Sequence, residues 1–303
     1  MIPKPVQRAR RLIKKYGYES PDEIDLIDLL YKEGLYLKYE PSDSYQGKIV
    51  FNKHAGIITL NLNLENENQK RYVIAHEMGH FFNERALTRS LPKGEKVKGE
   101  EKVEVKHEFK RDRYHDFIDT NTKSIEDLIH EKEANQFAVE LLMARRWVVE
   151  AVSGKLLGVS LLKEVAEKFR VSLTAAALRY AELYKDAMAV ILSKDKRIEW
   201  MTCNKNFAFG KLKKYEPVPL NTRTYDIYDL LMPTNYIKNQ RIKKYGFRQF
   251  MKEKADYSDS LDETVTVDSA DWFGNDNNAE NDYLRQIDFP MVNYNSILTI
   301  LWL

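Results

Sequence analysis

The stretch RYVIAHEMGHFFNE, residues 71–84, constrains the fold of this chain more than any other. It sets His76 and His80 four residues apart with Glu77 beside the first, and from Tyr72 to Asn83 it holds no other charge. The spacing predicts a helix over 65–84, buried around a dry site. Residues four apart on a helix share a face, so both imidazoles can aim at one point. Gly79 inside that helix costs about 1 kcal/mol relative to alanine, which predicts another backbone close by.

This is the HExxH arrangement, in which two histidines hold a metal that polarises water and the glutamate takes the water's proton. A plain core helix would have to bury Glu77 without an evident partner. A catalytic site also needs a third protein ligand. No histidine follows His80 at metzincin spacing, which leaves His107, His115, His130, Glu131 and Glu133. On the helix expected after residue 124, the inward stripe is Ala134, Phe137, Ala138, Leu141 and Leu142. At about 100° per residue, Glu131 lies roughly 50° from its centre and Glu133 about 110°. Glu131 is the better placed, with Asn135 one turn on as a partner to orient a ligand; the others stay open.

Around these helices the pattern is mixed. Residues 3–17 read as a helix with Arg8, Arg10, Arg11, Lys14 and Lys15 on a solvated face, and a second helix should run from Ser20-Pro21 to Gly34. YQGKIVFN and AGIITLNLNL read as strands joined at KHAG, the second with a polar face and an edge for an extended peptide. Residues 88–116 read as an exposed charged insertion, a hairpin or a lid. Ser124 should cap one long helix through residue 152. Residues 160–185 read as two short helices broken at RVS, either a helix-turn-helix or a helical pair packed on a core. Beyond residue 186, AMAVILS and RIEWMTC look like strands around KDK, KNQRIKKYGFRQF like a basic helix, TVTVDSADWF like a strand with a polar turn, and SILTILWL like a buried strand. GNDNNAENDY reads as a polar loop.

Composition narrows the classes. With 303 residues, 43% of them hydrophobic, the chain can bury a sizeable core. A formal charge of +2 with 31% charged residues removes a global electrostatic case for nucleic acid. Cys203 is the one cysteine, so no intrachain disulfide or cysteine metal cluster forms, and it reads as a small packing residue. The charged N-terminus lacks a secretory core, and no run reaches the roughly 18 apolar residues that cross a bilayer. The expectation is a cytoplasmic protein with no membrane partner.

RYVIAHEMGHFF, the EKEANQFAVELLMA segment about fifty residues later, the GIITLNLNL strand and VAEKFRVSLTAAALRY together resemble the ImmA/IrrE-type zinc metallopeptidases. The resemblance spans roughly residues 5–183. It implies an α+β fold with a thermolysin-like core, a small mixed sheet against two ligand helices. The expected domains are a metallopeptidase domain at 1–150, a helix-turn-helix-like segment at 151–186, and a C-terminal α+β domain at 187–303 for sensing or partner docking. By motif position, His76, His80 and Glu131 would hold zinc and Glu77 would be the catalytic base. The implied substrate is a helix-turn-helix transcriptional repressor, cut to release stress-response or mobile-element genes. Other readings are a metalloprotease acting on a toxin, antitoxin or phage protein, and a DNA- or protein-binding regulator with a vestigial zinc site. Arg170 and Arg179 would be the DNA contacts, and Tyr114 or His115 would steady an oxyanion. The chain departs from the family at Ala144, where a proline usually follows Leu-Leu-Met, and in the length of the 88–116 insertion.

Overall fold

The computed structural model describes residues 2–52, 54–90, 105–109, 125–231, 263–274 and 283–303. They divide into two compact units, Met1–Ala151 with Ala166–Ser172, and Val152–Val165 with Leu173–Leu303. The class is α+β.

In the first unit, α1 (Lys4–Lys15) buries Ala9, Leu12 and Ile13. The next helix is not continuous as the sequence suggests. A 3-10 turn covers Pro21–Glu23, Ile24 is extended, and α2 (Leu26–Lys32) restarts because the Asp25 side chain accepts from the amides of Ile27 and Asp28 at 2.8 and 3.1 Å. A mixed sheet follows, built from β1 (Leu35–Glu40), β2 (Gly47–Phe51), β3 (Gly56–Asn61) and β4 (Val105–Phe109). Its order is β1-β3-β2-β4, with β1 and β3 parallel and the other neighbours antiparallel.

This order corrects two expectations about the 55–64 strand. β3 lies between β1 and β2, so it offers no free edge to a peptide. Its polar face is also covered, since Thr59 and Asn61 are buried and Asn61 Nδ2 donates to the carbonyls of Ser42 at 2.6 Å and Tyr45 at 2.9 Å. An amide that finds two carbonyls can leave water without the usual penalty.

Helices α3 (Glu67–Ser90) and α4 (Ile125–Leu142) pack against each other across Gly79. A Cβ at Gly79 would come within 2.8 Å of the Ala134 Cα and carbonyl oxygen, so the close backbone approach expected there is present. The helix expected through residue 152 breaks at Met143–Ala144, and α5 (Arg145–Val152) begins anew. The buried Glu140 carboxylate accepts from the Arg145 amide at 3.4 Å, satisfying a helix-start donor.

The basic face of α1 is not wholly solvated. Arg8 Nη1 donates to Asn83 Oδ1 of α3 at 2.7 Å, and Arg10 Nε donates to Glu140 Oε1 of α4 at 2.7 Å. The first helix therefore ties both members of the central helix pair. Periodicity missed this because an arginine stem lies along an apolar surface while its head seeks a buried acceptor.

The division between units runs through α6 (Val159–Phe169); the second unit then contains α7 (Leu173–Leu183) and a five-stranded antiparallel sheet. The strands are β5 (Met188–Lys194), β6 (Arg197–Cys203), β7 (Val265–Asp268), β8 (Tyr283–Met291) and β9 (Ser296–Trp302), in the order β6-β5-β9-β8-β7. Asp195 and Lys196, both with positive φ, make the expected KDK turn between β5 and β6. β9 is buried along its whole length, as SILTILWL suggests. Helix α8 (Arg223–Leu231) packs on β8, and in TVTVDSADWF the strand ends at Asp268, whose side chain caps the short helix α9 (Ser269–Phe273). Cys203 is half-buried against this unit's core, a packing position. The KNQRIKKYGFRQF segment lies outside the described residues, as does most of GNDNNAENDY. No helix among the described residues is long and apolar enough to cross a membrane.

Candidate metal centre

His76 and His80 sit one turn apart on the face of α3 that meets α4, both buried. Their Nε2 atoms are 3.0 Å apart. Glu131, in the first turns of α4, brings Oε2 to 3.4 Å from His76 Nε2 and Oε1 to 3.9 Å from His80 Nε2. One donor atom from each of the three lies within 4.8 Å of the others, so these residues form a group that could hold a metal ion. Ligands at about 2.0–2.2 Å from a tetrahedral ion stand roughly 3.4 Å from one another. The triangle has that size, and its nitrogen and carboxylate donors suit a borderline divalent cation.

The orientation of His76 comes from α4. Asn135 Oδ1 lies 2.9 Å from His76 Nδ1 and accepts from the Tyr72 hydroxyl at 2.6 Å. A carbonyl oxygen that already takes a phenol proton takes the imidazole N–H as well, which fixes the proton on Nδ1 and leaves the Nε2 lone pair facing the triangle. Asn135 holds the orienting place the helical argument gave it. Tyr72 was missed; its signal was its position four residues before His76, on the same face of the helix.

Glu77 is fully buried, and neither carboxylate oxygen has a hydrogen-bond partner among the described residues. Burial, with the nearby negative charge of Glu131, holds its carboxyl well above the ordinary range. A carboxylate in this state is expensive as mere structure, and an orphaned buried group calls for a cation, a water or a substrate. Above it runs β2: a Cβ at Gly47 would meet Val73 Cγ1 at 2.3 Å and stand 3.5 Å from Glu77 Oε1. Only glycine lets the sheet come this near the helix.

The other sequence candidates fall elsewhere. Glu133 faces the Arg8 charge, and neither it nor His130 joins the donor triangle. His107 lies on β4, whose side chains are outside the described set, and Tyr114 and His115 lie outside the described residues altogether. Arg179 is buried and bonded to Glu182 at 2.7 Å, so it is not presented for a phosphate as the helix-turn-helix reading required. Arg170 is exposed at the end of α6 and, with the half-buried Arg71, lines a cavity of about 360 Å³ in the first unit. Burial and the Arg170 charge pull the Arg71 guanidinium down to about 10.

No protein-family model and no curated protein matches this chain. Among solved structures it is similar to a Mycobacterium tuberculosis transcriptional regulator, with 11% identity, 99% of this chain and 75% of that chain covered, and a TM-score of 0.51. At that identity the likeness speaks to the fold alone.

Proposed function

We propose that this chain is a zinc-dependent endopeptidase of the ImmA/IrrE type, with a thermolysin-like core, and that it cuts a helix-turn-helix transcriptional repressor. The observation that carries the reading is the convergence of His76, His80 and Glu131 beside a buried, unpartnered Glu77. A structural site has no use for an uncompensated carboxylate next to its first ligand, whereas a hydrolase needs a base there. A zinc ion held by the three residues would supply a Lewis acid and lower the pKa of its water toward about 7.

Everything else is work for the chain's own groups. Glu77 takes the proton as the water oxygen bonds to the peptide carbonyl carbon, its oxygens having no other partner among the described residues. As the C–N bond breaks, Glu77 passes the proton to the leaving amine. Asn135 and Tyr72 keep His76 in one tautomer throughout. The packed walls of α3, α4 and β2 keep bulk water from competing for Glu77.

The test is metal content and cleavage measured on the same preparation. The full chain should retain about one zinc, His80→Ala should lose it, and a small helix-turn-helix protein encoded beside this gene should be cut by the parent only. A chelator should stop cleavage and added zinc restore it. Bound zinc with no cleavage of any candidate repressor would favour the second reading, a regulator with a vestigial site, which the regulator-like structural neighbour allows.

A further inference from the structure

Strand β2 passes directly over the Glu77 carboxylate at Gly47. Its inner edge belongs to β3, and the bond from the Asn61 amide to the Gln46 carbonyl at 2.8 Å fixes the parity of the pairing. In an antiparallel pair, alternate residues point both backbone groups to the same side. Gln46, Lys48 and Val50 therefore bond to β3, and Gly47, Ile49 and Phe51 turn their amides and carbonyls outward. That outward edge is not bare. Val105–Phe109 of the charged insertion lies along it as β4, antiparallel, with Gly47 opposite Phe109, Ile49 opposite His107 and Phe51 opposite Val105. β4 also contacts α3. A strand pair is about 4.8 Å wide, so the chain lays its own extended backbone, at the Phe109 end, within one strand spacing of Gly47, the residue whose added Cβ would stand 3.5 Å from Glu77 Oε1.

We infer that the outer edge of β2 is the docking edge for one extended peptide strand, and that Val105–Phe109 is its resident occupant, which a protein substrate must displace. The inference rests on the protease reading for the identity of the displacing strand. An edge is a template for any chain that can supply complementary amides and carbonyls. The resident sequence, Val105-Lys106-His107-Glu108-Phe109, alternates uncharged and charged residues at the period of a strand. It is short, it is the outermost of the described strands of its sheet, and it comes from the insertion whose length departs from the family pattern. Those properties suit a strand that exchanges. The substrate segment is thereby specified in chemical terms: an extended stretch free of proline at alternate positions, able to pair antiparallel with Gly47, Ile49 and Phe51.

The test uses the full chain carrying Glu77→Gln, so that binding is read without cleavage. His107→Pro with Phe109→Pro removes two ladder donors of β4. A second variant replaces residues 103–111 by a Gly-Ser segment of equal length, in case the prolines disturb folding. In either variant, amide exchange at Gly47, Ile49 and Phe51 should rise at least tenfold while Lys48 and Val50 keep their protection. A fluorescent synthetic peptide of residues 103–111 should bind both variants and not the Glu77→Gln parent. With Glu77 restored and zinc added, fluorescein-labelled casein should be cut several-fold faster by the variants than by the parent. Unchanged exchange, or equal peptide binding by parent and variants, overturns the inference. Peptide binding by the variants with no casein or repressor cleavage by any form keeps the docking edge and removes the protease.

Discussion

Two carboxylates hidden from water, Glu77 in the first unit and Asp288 in the second, are treated in opposite ways. Asp288 in the second unit accepts from Thr224 Oγ1 and Thr299 Oγ1 at 2.7 Å on Oδ1 and from Gln286 Nε2 at 2.7 Å on Oδ2, with Arg223 Nε at 3.9 Å. Glu77 in the first unit has no such shell among the described residues. A satisfied buried charge holds strands and helix in register, whereas an unsatisfied one is tolerated only where it has other work. The difference separates a structural polar core from a candidate reaction site, although both groups are equally hidden from water.

The sharpest way to break this contrast is to neutralise Glu77. Glu77→Gln should lower peptide cleavage by about 10²–10⁴-fold while leaving zinc bound, and the metal-free variant should unfold at a denaturant concentration no lower than the parent's. A loss of stability instead would mean that Glu77 is partnered after all. The opposite outcome is expected at Asp288. Asp288→Ala strands Thr224, Thr299 and Gln286 and should destabilise the second unit by about 3 kcal/mol, read by the fluorescence of Trp272 and Trp302, with zinc content unchanged. A smaller test concerns the walls of the reaction site. Gly79→Ala drives a methyl into the Ala134 backbone and should cost about 2 kcal/mol, with weaker zinc binding as α3 and α4 part. Asn135→Ala removes the acceptor of the buried Tyr72 hydroxyl and should cost about 1–2 kcal/mol, and it should reduce zinc affinity by about 10–100-fold, read by chelator competition.

The smallest effect is one of pH. Burial holds the Asp288 carboxyl above its ordinary value, against the opposing hydrogen bonds of Thr299, Thr224 and Gln286 and the charge of Arg223. Between the unfolded and the raised folded pKa the folded unit carries the extra proton, so this group's contribution to stability is lost as pH rises through the folded value. Denaturation of the second unit from pH 4 to 7 should show that slope in the parent, and Asp288→Asn should flatten it.

Much of the first unit was legible because its cues are local. Gly79 announced a close backbone, the strands flanking KHAG paired as read, and the stripe of α4 placed Glu131 toward the histidines and Glu133 on the flank. The failures come from contacts distant in sequence. Nothing near Thr59 or Asn61 says that β1 will cover their strand, and nothing near Arg10 names Glu140, 130 residues away. β8 went unread because Gln286 and Asp288 sit where a buried strand should be apolar. Their burial makes sense only with Thr224, Thr299 and Trp272 on the page.

One further consequence follows from the shared acceptor on α4. A carboxamide has a giving end and a taking end, and the two differ in little but their protons. Tyr72 presents its hydroxyl as donor to the taking end here, and with Asn135 turned that way His76 carries its proton on Nδ1 and leaves Nε2 bare. A residue that never meets the ion thus carries one binary decision on which binding depends. Tyr72→Phe would erase the decision without moving a ligand, leaving Asn135 free to turn its amino group toward an imidazole that would then point its proton at the metal.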